Sequence, residues 1–223
     1  MPALCYMCDS VATSEEHAPP KCLFPVSKDS LNGIDLRVNL IKVPSCEQHN
    51  TTRSKDDEYL MYVLPQSLGS NDEGKALHRT KVTRAIARRP KLANSMLTGA
   101  KEVIIHDTEN NQWFKTNAIP IDVKRINSVL EMNARAIYYH HYGKKFDGKV
   151  SVFRNFLISL EDPGLNALSE RLFDIAKALF LSEPMIGSNP DIFTFRFARN
   201  VTTELLELTF FSKNKVLVQM EHS

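Results

Sequence analysis

The chain has 223 residues, 43% hydrophobic and 24% charged, with 28 basic against 26 acidic side chains. That length predicts a main body with a small appended unit, and the composition excludes wholesale disorder and leaves a core of ordinary size. A net charge of +2 excludes a bulk polycation, so affinity for nucleic acid must come from how the charges are distributed.

No apolar run approaches the roughly 20 residues of a spanning helix, and Met1 to Cys5 lacks the features of a signal peptide, so a cytoplasmic location is expected. Four cysteines are too few for a disulfide framework. A CxxC in such a chain reads as metal or redox chemistry.

Two close pairs lie near the amino terminus, Cys5-x-x-Cys8 and Cys46-x-x-His49. Each pair bites from a tight turn while the long loop between them folds freely, which suits a closed tetrahedral zinc site of structural type. Cys22 matches neither pair and reads as a core residue. Cys22–Val26 and Leu36–Val43 are expected to pair as an antiparallel hairpin, with a helix beginning in Ser45–Arg53.

Ser54 to Glu58 resembles a helix start that leads into Tyr59–Leu64, and Pro65 ends it. Gln66–Gly74 is a polar connector. From Lys75 to Lys91 the chain carries seven cations and no acid, with Leu77, Val82, Ile86 and Leu92 as a ragged apolar stripe and Pro90 as a kink or stop. Lys75, Arg79, Arg84, Arg88 and Arg89 are candidate phosphate contacts, against the alternative of a solvated helix face.

Lys101–His106 and Trp113–Thr116 predict strands joined by the turn Asp107–Gln112. Asp122 caps the clearest helix, with Val123, Ile126, Leu130, Ala134, Ile137 and His141 at helical spacing and Gly143 as its stop. Adjacent histidines on a helix point about 100° apart, so His140 and His141 read as helix-end residues and not as a ligand pair. A strand over Val150–Leu160, a helix over Leu165–Leu181 and a meander from Ile192 complete the reading, with Phe193, Phe195 and Phe197 as one packed strand face.

Inside the cysteine loop lies Glu16-His17. A carboxylate beside a histidine allows one group to hold a hard cation while the other deprotonates water, the two functions phosphodiester hydrolysis needs.

Taken together, Cys5-x-x-Cys8, Glu16-His17-Ala18-Pro19-Pro20, Asn39-Leu40 and Cys46-x-x-His49-Asn50 resemble the HNH endonucleases, the ββα-metal family, in the subgroup with an internal zinc clamp, over residues 5 to about 60. The resemblance implies His17 as general base, Glu16 and Asn50 as ligands of a catalytic Mg2+ or Mn2+, and Asn39 as the asparagine that orients the histidine. Cys5, Cys8, Cys46 and His49 would hold the structural Zn2+. His49 stands where cysteine is usual, and its service to the catalytic metal stays open.

The expected architecture is therefore α+β, with a zinc-clamped nuclease unit over 1–66 and an α+β body over 75–223. The expected activity is DNA phosphodiester hydrolysis, with DNA and a targeting protein or a second copy as partners, and family analogy points to restriction or phage defence. The alternatives are a non-catalytic zinc-stabilised module that binds nucleic acid or protein, and a CxxC redox protein.

Overall fold

A computed structural model describes residues 2–51, 53–107, 110–199 and 203–222. It is a mixed α+β structure with three antiparallel sheets. The first consists of β1 (Ser14–His17) and β2 (Lys42–Ser45), paired so that Ser14 faces Ser45 and His17 faces Lys42.

The hairpin expected from Cys22–Val26 and Leu36–Val43 does not form. Lys21–Leu23 is a 3-10 turn, and the second strand starts only at Lys42. Pro25 removes a backbone donor from the intended strand, and Pro19 and Pro20 remove two more just ahead of it, which works against a ladder there. Leu23 and Phe24 are buried from turn geometry instead.

Helix α1 (Glu47–Thr51) follows β2, and α2 (Ser54–Val63) follows α1. Pro65 lies in the 3-10 turn Leu64–Gln66 that ends α2. The connector expected over Gln66–Gly74 contains a helix start. Asn71 caps α3 (Asp72–Leu77), its side chain accepting from the Gly74 amide at 3.0 Å.

A π turn, His78–Val82, joins α3 to α4 (Thr83–Ala87), and Pro90 opens α5 (Pro90–Leu97), the first-turn position where its missing donor costs nothing. Leu77 and Val82 are buried; the Leu92 side chain lies outside the described set. A separate two-stranded sheet follows, β3 (Lys101–Asp107) against β4 (Gln112–Ala118). Residues 108 and 109 of the expected turn lie outside the described residues.

Helix α6 (Val123–Tyr142) is the central prop. Asp122 accepts from the Arg125 amide at its start, and Gly143 closes it at φ 68°, a left-handed conformation that glycine adopts without penalty. Its apolar stripe, from Ile126 through Leu130 and Ala134 to Ile137 and Tyr138, is buried. Tyr59 of α2 meets it: its hydroxyl accepts from the Asp122 amide at 2.9 Å, and Arg125 lies over its ring.

The five-stranded sheet runs β5-β9-β8-β7-β6, with β5 (Lys149–Arg154), β6 (Ile186–Asn189), β7 (Phe193–Arg199), β8 (Thr203–Phe210) and β9 (Asn214–Glu221). Helix α7 (Pro163–Leu179) connects β5 to β6. The short β6 was not expected from the sequence, and β5 ends at Arg154, earlier than expected.

Register places Phe195 opposite Leu208 and Leu208 opposite Val216, so these residues share one face. Leu206, Leu208, Val216 and Val218 are fully buried there, each stabilising the fold by about 1.5–3 kcal/mol. The same buried cluster contains Cys5, Tyr6, Leu60 and Tyr62 from the amino-terminal segment. Among the described residues, no helix is long and apolar enough to cross a membrane.

Candidate functional site

The two cysteine pairs meet. The first turn is closed by the Cys5 amide bonding to the Ser10 carbonyl at 2.9 Å and by the Leu4–Val11 bridge. The Tyr6 amide bonds to the Pro44 carbonyl at 2.9 Å, which ties this turn to β2. Cys46 leaves β2 and His49 lies in α1, its amide bonding to the Cys46 carbonyl.

These elements bring Cys5, Cys8, Cys46 and His49 together with all four ligand atoms within 4.8 Å of one another. Cys8 Sγ and Cys46 Sγ lie 3.8 Å apart, and His49 Nδ1 lies 3.6 Å from Cys5 Sγ, 3.6 Å from Cys8 Sγ and 3.2 Å from Cys46 Sγ. A tetrahedron with zinc–sulfur and zinc–nitrogen bonds of ordinary length has sulfur–sulfur edges of about 3.8 Å and sulfur–nitrogen edges of about 3.6 Å. The residues fit a closed zinc site. Hydrogen bonds from Ser10 lower the Cys8 thiol from its ordinary pKa, whereas burial and the neighbouring Cys5 and Cys8 thiols raise that of Cys46. With Nδ1 facing three sulfurs, His49 belongs to this set.

Glu16 is built differently. Strand alternation sends Ser14 and Glu16 toward α1 and α2, and Glu15 and His17 to the other side. Glu16 is 5% exposed, and Arg53 Nη1 donates to its Oε1 in a buried ion pair. Tyr6 and Ser45 donate their hydroxyls to Oε2 at 3.2 and 3.4 Å. Arg53, itself 4% exposed, also donates to the Tyr6 oxygen at 2.8 Å and lies 3.6 Å from Asp57 Oδ1. Burial pushes the Asp57 carboxyl up to about 6 although Arg53 opposes it.

Asn50 is tied to the same strand, donating to Ser14 Oγ at 2.7 Å and more weakly to the Glu15 carbonyl. Glu16 and Asn50 therefore do not present a site for a catalytic cation in this arrangement, because the one hard anionic donor of the pair is already neutralised by a guanidinium and two hydroxyls.

His17 ends β1, half-buried. Burial lowers its pKa first, and the charges of Lys21, Lys42 and Arg37 lower it further against Glu15. These causes favour the neutral ring over the protonated one. No family model, curated protein or solved structure matches this chain.

Asn39 does not approach His17 through any hydrogen bond of the described residues. It is exposed, in a left-handed conformation at φ 52°. It lines a shallow hollow with Ala18, Pro19, Leu40 and Asn189, and the neighbouring Val38 carbonyl accepts from Asn189 at 3.0 Å.

The basic run is largely internal wiring. Arg84 pairs with the buried Asp29 at 2.7 Å, Arg89 pairs with Glu58, and Lys75 pairs with Asp72 at 3.5 Å. Lys81 donates to the Cys22 carbonyl at 2.6 Å. Arg79 and Arg88 are exposed, so of the five candidate phosphate contacts they keep the freest cations. Burial raises the Cys22 thiol to about 12, the behaviour of an inert core cysteine.

Sequence reasoning missed Arg53 and Tyr6, the partners of Glu16, and the cations grouped about His17. Lys42 was missed with them, since the strand pairing that sets it directly opposite His17 is not the one expected from the sequence.

Proposed function

We propose that the chain is a phosphodiester nuclease whose general base is His17. One observation carries this reading: a half-exposed histidine, its pKa lowered by burial, ends the first strand of a strand–strand–helix unit that carries four zinc-type donors, with Lys21 nearby, Lys42 beside it paired with Glu15 at 2.9 Å, and Arg37 donating to the Phe24 carbonyl. A neutral imidazole can take the proton of an attacking water, and nearby cations can hold the phosphate and offset the charge that builds on it as the phosphorus–oxygen bond breaks.

In the resembled family, a divalent cation neutralises charge on the phosphate and the leaving oxygen. Glu16, as arranged here, offers no such site, and no step is assigned to it. DNA is the substrate that the family resemblance implies, and RNA is tested beside it.

A second reading rests on the Glu16–Arg53 pair. A buried acid already neutralised suits a non-catalytic module in which zinc and the ion pair merely hold a nucleic-acid-binding surface. Nicking of supercoiled plasmid by the zinc-loaded chain, with added magnesium or manganese and with RNA in parallel, separates the two. Cleavage that disappears in His17→Ala while zinc content stays intact supports the nuclease. Tight binding with no cleavage of DNA or RNA supports the module.

A further inference from the structure

The ribbon of β3 and β4 joins no other sheet among the described residues, and its two faces differ. Register sets Ile104 opposite Lys115 and His106 opposite Trp113, so these four side chains share one face. On the other face, Val103, Ile105 and Thr116 are partly covered. Ile104 and Trp113 are open, Trp113 by 68%.

Trp113 is exposed but not loose. Its indole lies on the His106 ring with centroids 4.3 Å apart and planes 12° from parallel. His106 Nε2 in turn meets Asn111 Oδ1 at 3.0 Å, which fixes the imidazole. A cross-strand aromatic pair stabilises a ribbon, and that accounts for the stack. It does not account for the rest of the indole. One ring face rests on His106, and with 68% of the residue open the opposite face is uncovered and already oriented.

A flat π surface held in place and bare on one side suits a flat π partner, because stacking then buries both faces without reordering the ring. Cations are close by. Lys115 lies two residues along the strand on the same face and pairs with Glu102 at 3.2 Å, both side chains being exposed. Such surface pairs are worth little, so the ammonium turns to a phosphate at small cost. The chain that leads into the ribbon, from Lys75 to Lys101, holds eight cations and no acid, and Arg88, Lys91 and Lys101 are exposed.

We propose that this face of the ribbon binds single-stranded nucleic acid, with one nucleobase stacked on the open side of Trp113 and the adjoining phosphate on Lys115. Single strands are selected because the bases of a duplex already stack on one another and offer no free face. A lipid surface fits less well, since Lys115, Glu102 and Asn117 interrupt the apolar area around Ile104 and Trp113 on their own face. The site shares no residue with that of His17 and does not rest on the nuclease reading.

Trp113 is the single tryptophan of the chain, so its emission reports the stack directly. Titration of the full zinc-loaded chain with short single-stranded DNA and RNA oligonucleotides, without added magnesium or manganese, should quench that emission along a saturable curve. His17→Ala should give the same curve, which separates this site from the nuclease reading. In fluorescence anisotropy of a labelled oligonucleotide, Trp113→Ala should weaken binding about tenfold or more, while Trp113→Phe keeps most of it. Lys115→Gln should reduce the slope of log affinity against log salt by about 0.7. The proposal is overturned by emission that neither oligonucleotide changes at about 100 µM, by inorganic polyphosphate that quenches equally well, by anionic vesicles that quench where oligonucleotides do not, or by a folded Trp113→Ala chain that binds like the wild type.

Discussion

The amino-terminal unit and the five-stranded sheet are held by different kinds of chemistry. The sheet has strands of up to eight residues and a full apolar face in register, from Phe195 to Leu208 to Val216. The amino-terminal unit has two strands of four residues each, too few to stand alone. Besides the apolar residues it lends to the shared core, such as Tyr6, Leu23, Phe24 and Val43, it carries four metal-type donor atoms at one end and a buried ion pair, Glu16 with Arg53, at the other.

The largest effect that would sharpen this contrast is removal of a metal such as zinc from the Cys5, Cys8, Cys46 and His49 cluster. Ligand binding in such sites supplies folding free energy outright. Chelation, or Cys46→Ser, should strip hydrogen-exchange protection from the amides of β1 and β2 while Leu206 and Val218 in the sheet keep theirs. Protection in β1 and β2 that outlasts the metal would break the comparison.

Next in size is the ion pair. Glu16→Gln leaves the Arg53 charge buried without its main partner, which costs about 3–5 kcal/mol. Chemical denaturation should show that loss. Glu16→Met combined with Arg53→Met should cost less than Glu16→Gln alone, and a double variant as unstable as the sum of its singles would show that the two do not act as a pair.

A smaller and pH-dependent effect belongs to Asp57. Its carboxyl is raised from an ordinary 3.8 to about 6, chiefly by burial. The folded state therefore keeps a proton that the unfolded state gives up. The stability this contributes is complete below the unfolded value and is lost as pH rises through about 6. Asp57→Asn should remove that slope, so the variant gains on the wild type between pH 4 and pH 7 in denaturation midpoints, about the span between the two pKa values. Parallel pH profiles would show that Asp57 does not titrate in this window.

The smallest effect lies in the body. Asp122→Ala removes the cap of α6 and should cost about 1 kcal/mol, visible as a lowered melting temperature with the zinc site unaffected.

How much of this was legible in the sequence follows the same division. Period and punctuation announced the carboxy-terminal elements: Asp122 and Gly143 bracket α6, and the alternation from Phe193 onward is a real strand face. The ligand set at Cys5, Cys8, Cys46 and His49 was legible because metal spacing is local. The amino-terminal hairpin was misplaced because the apolar run Cys22–Val26 lies among prolines that cannot enter a ladder.

The roles of charged residues were the least legible. Nothing local in the sequence says that Arg84 and Arg89 reach Asp29 and Glu58, or that Arg53 reaches back to Glu16, since these pairs form only when distant segments pack. A cation without a visible partner in sequence reads as free. In the folded chain the freer ones on the basic run are Arg79 and Arg88.

The most direct test of the account is plasmid nicking by His17→Ala beside the wild type, across a pH series. The account predicts that wild-type cleavage persists to a pH below the usual histidine value, since burial and Lys21, Lys42 and Arg37 depress the base. It also predicts that His17→Ala lowers the rate by about 100-fold or more with zinc still bound. A His17→Ala chain that cuts as fast as the wild type would contradict it.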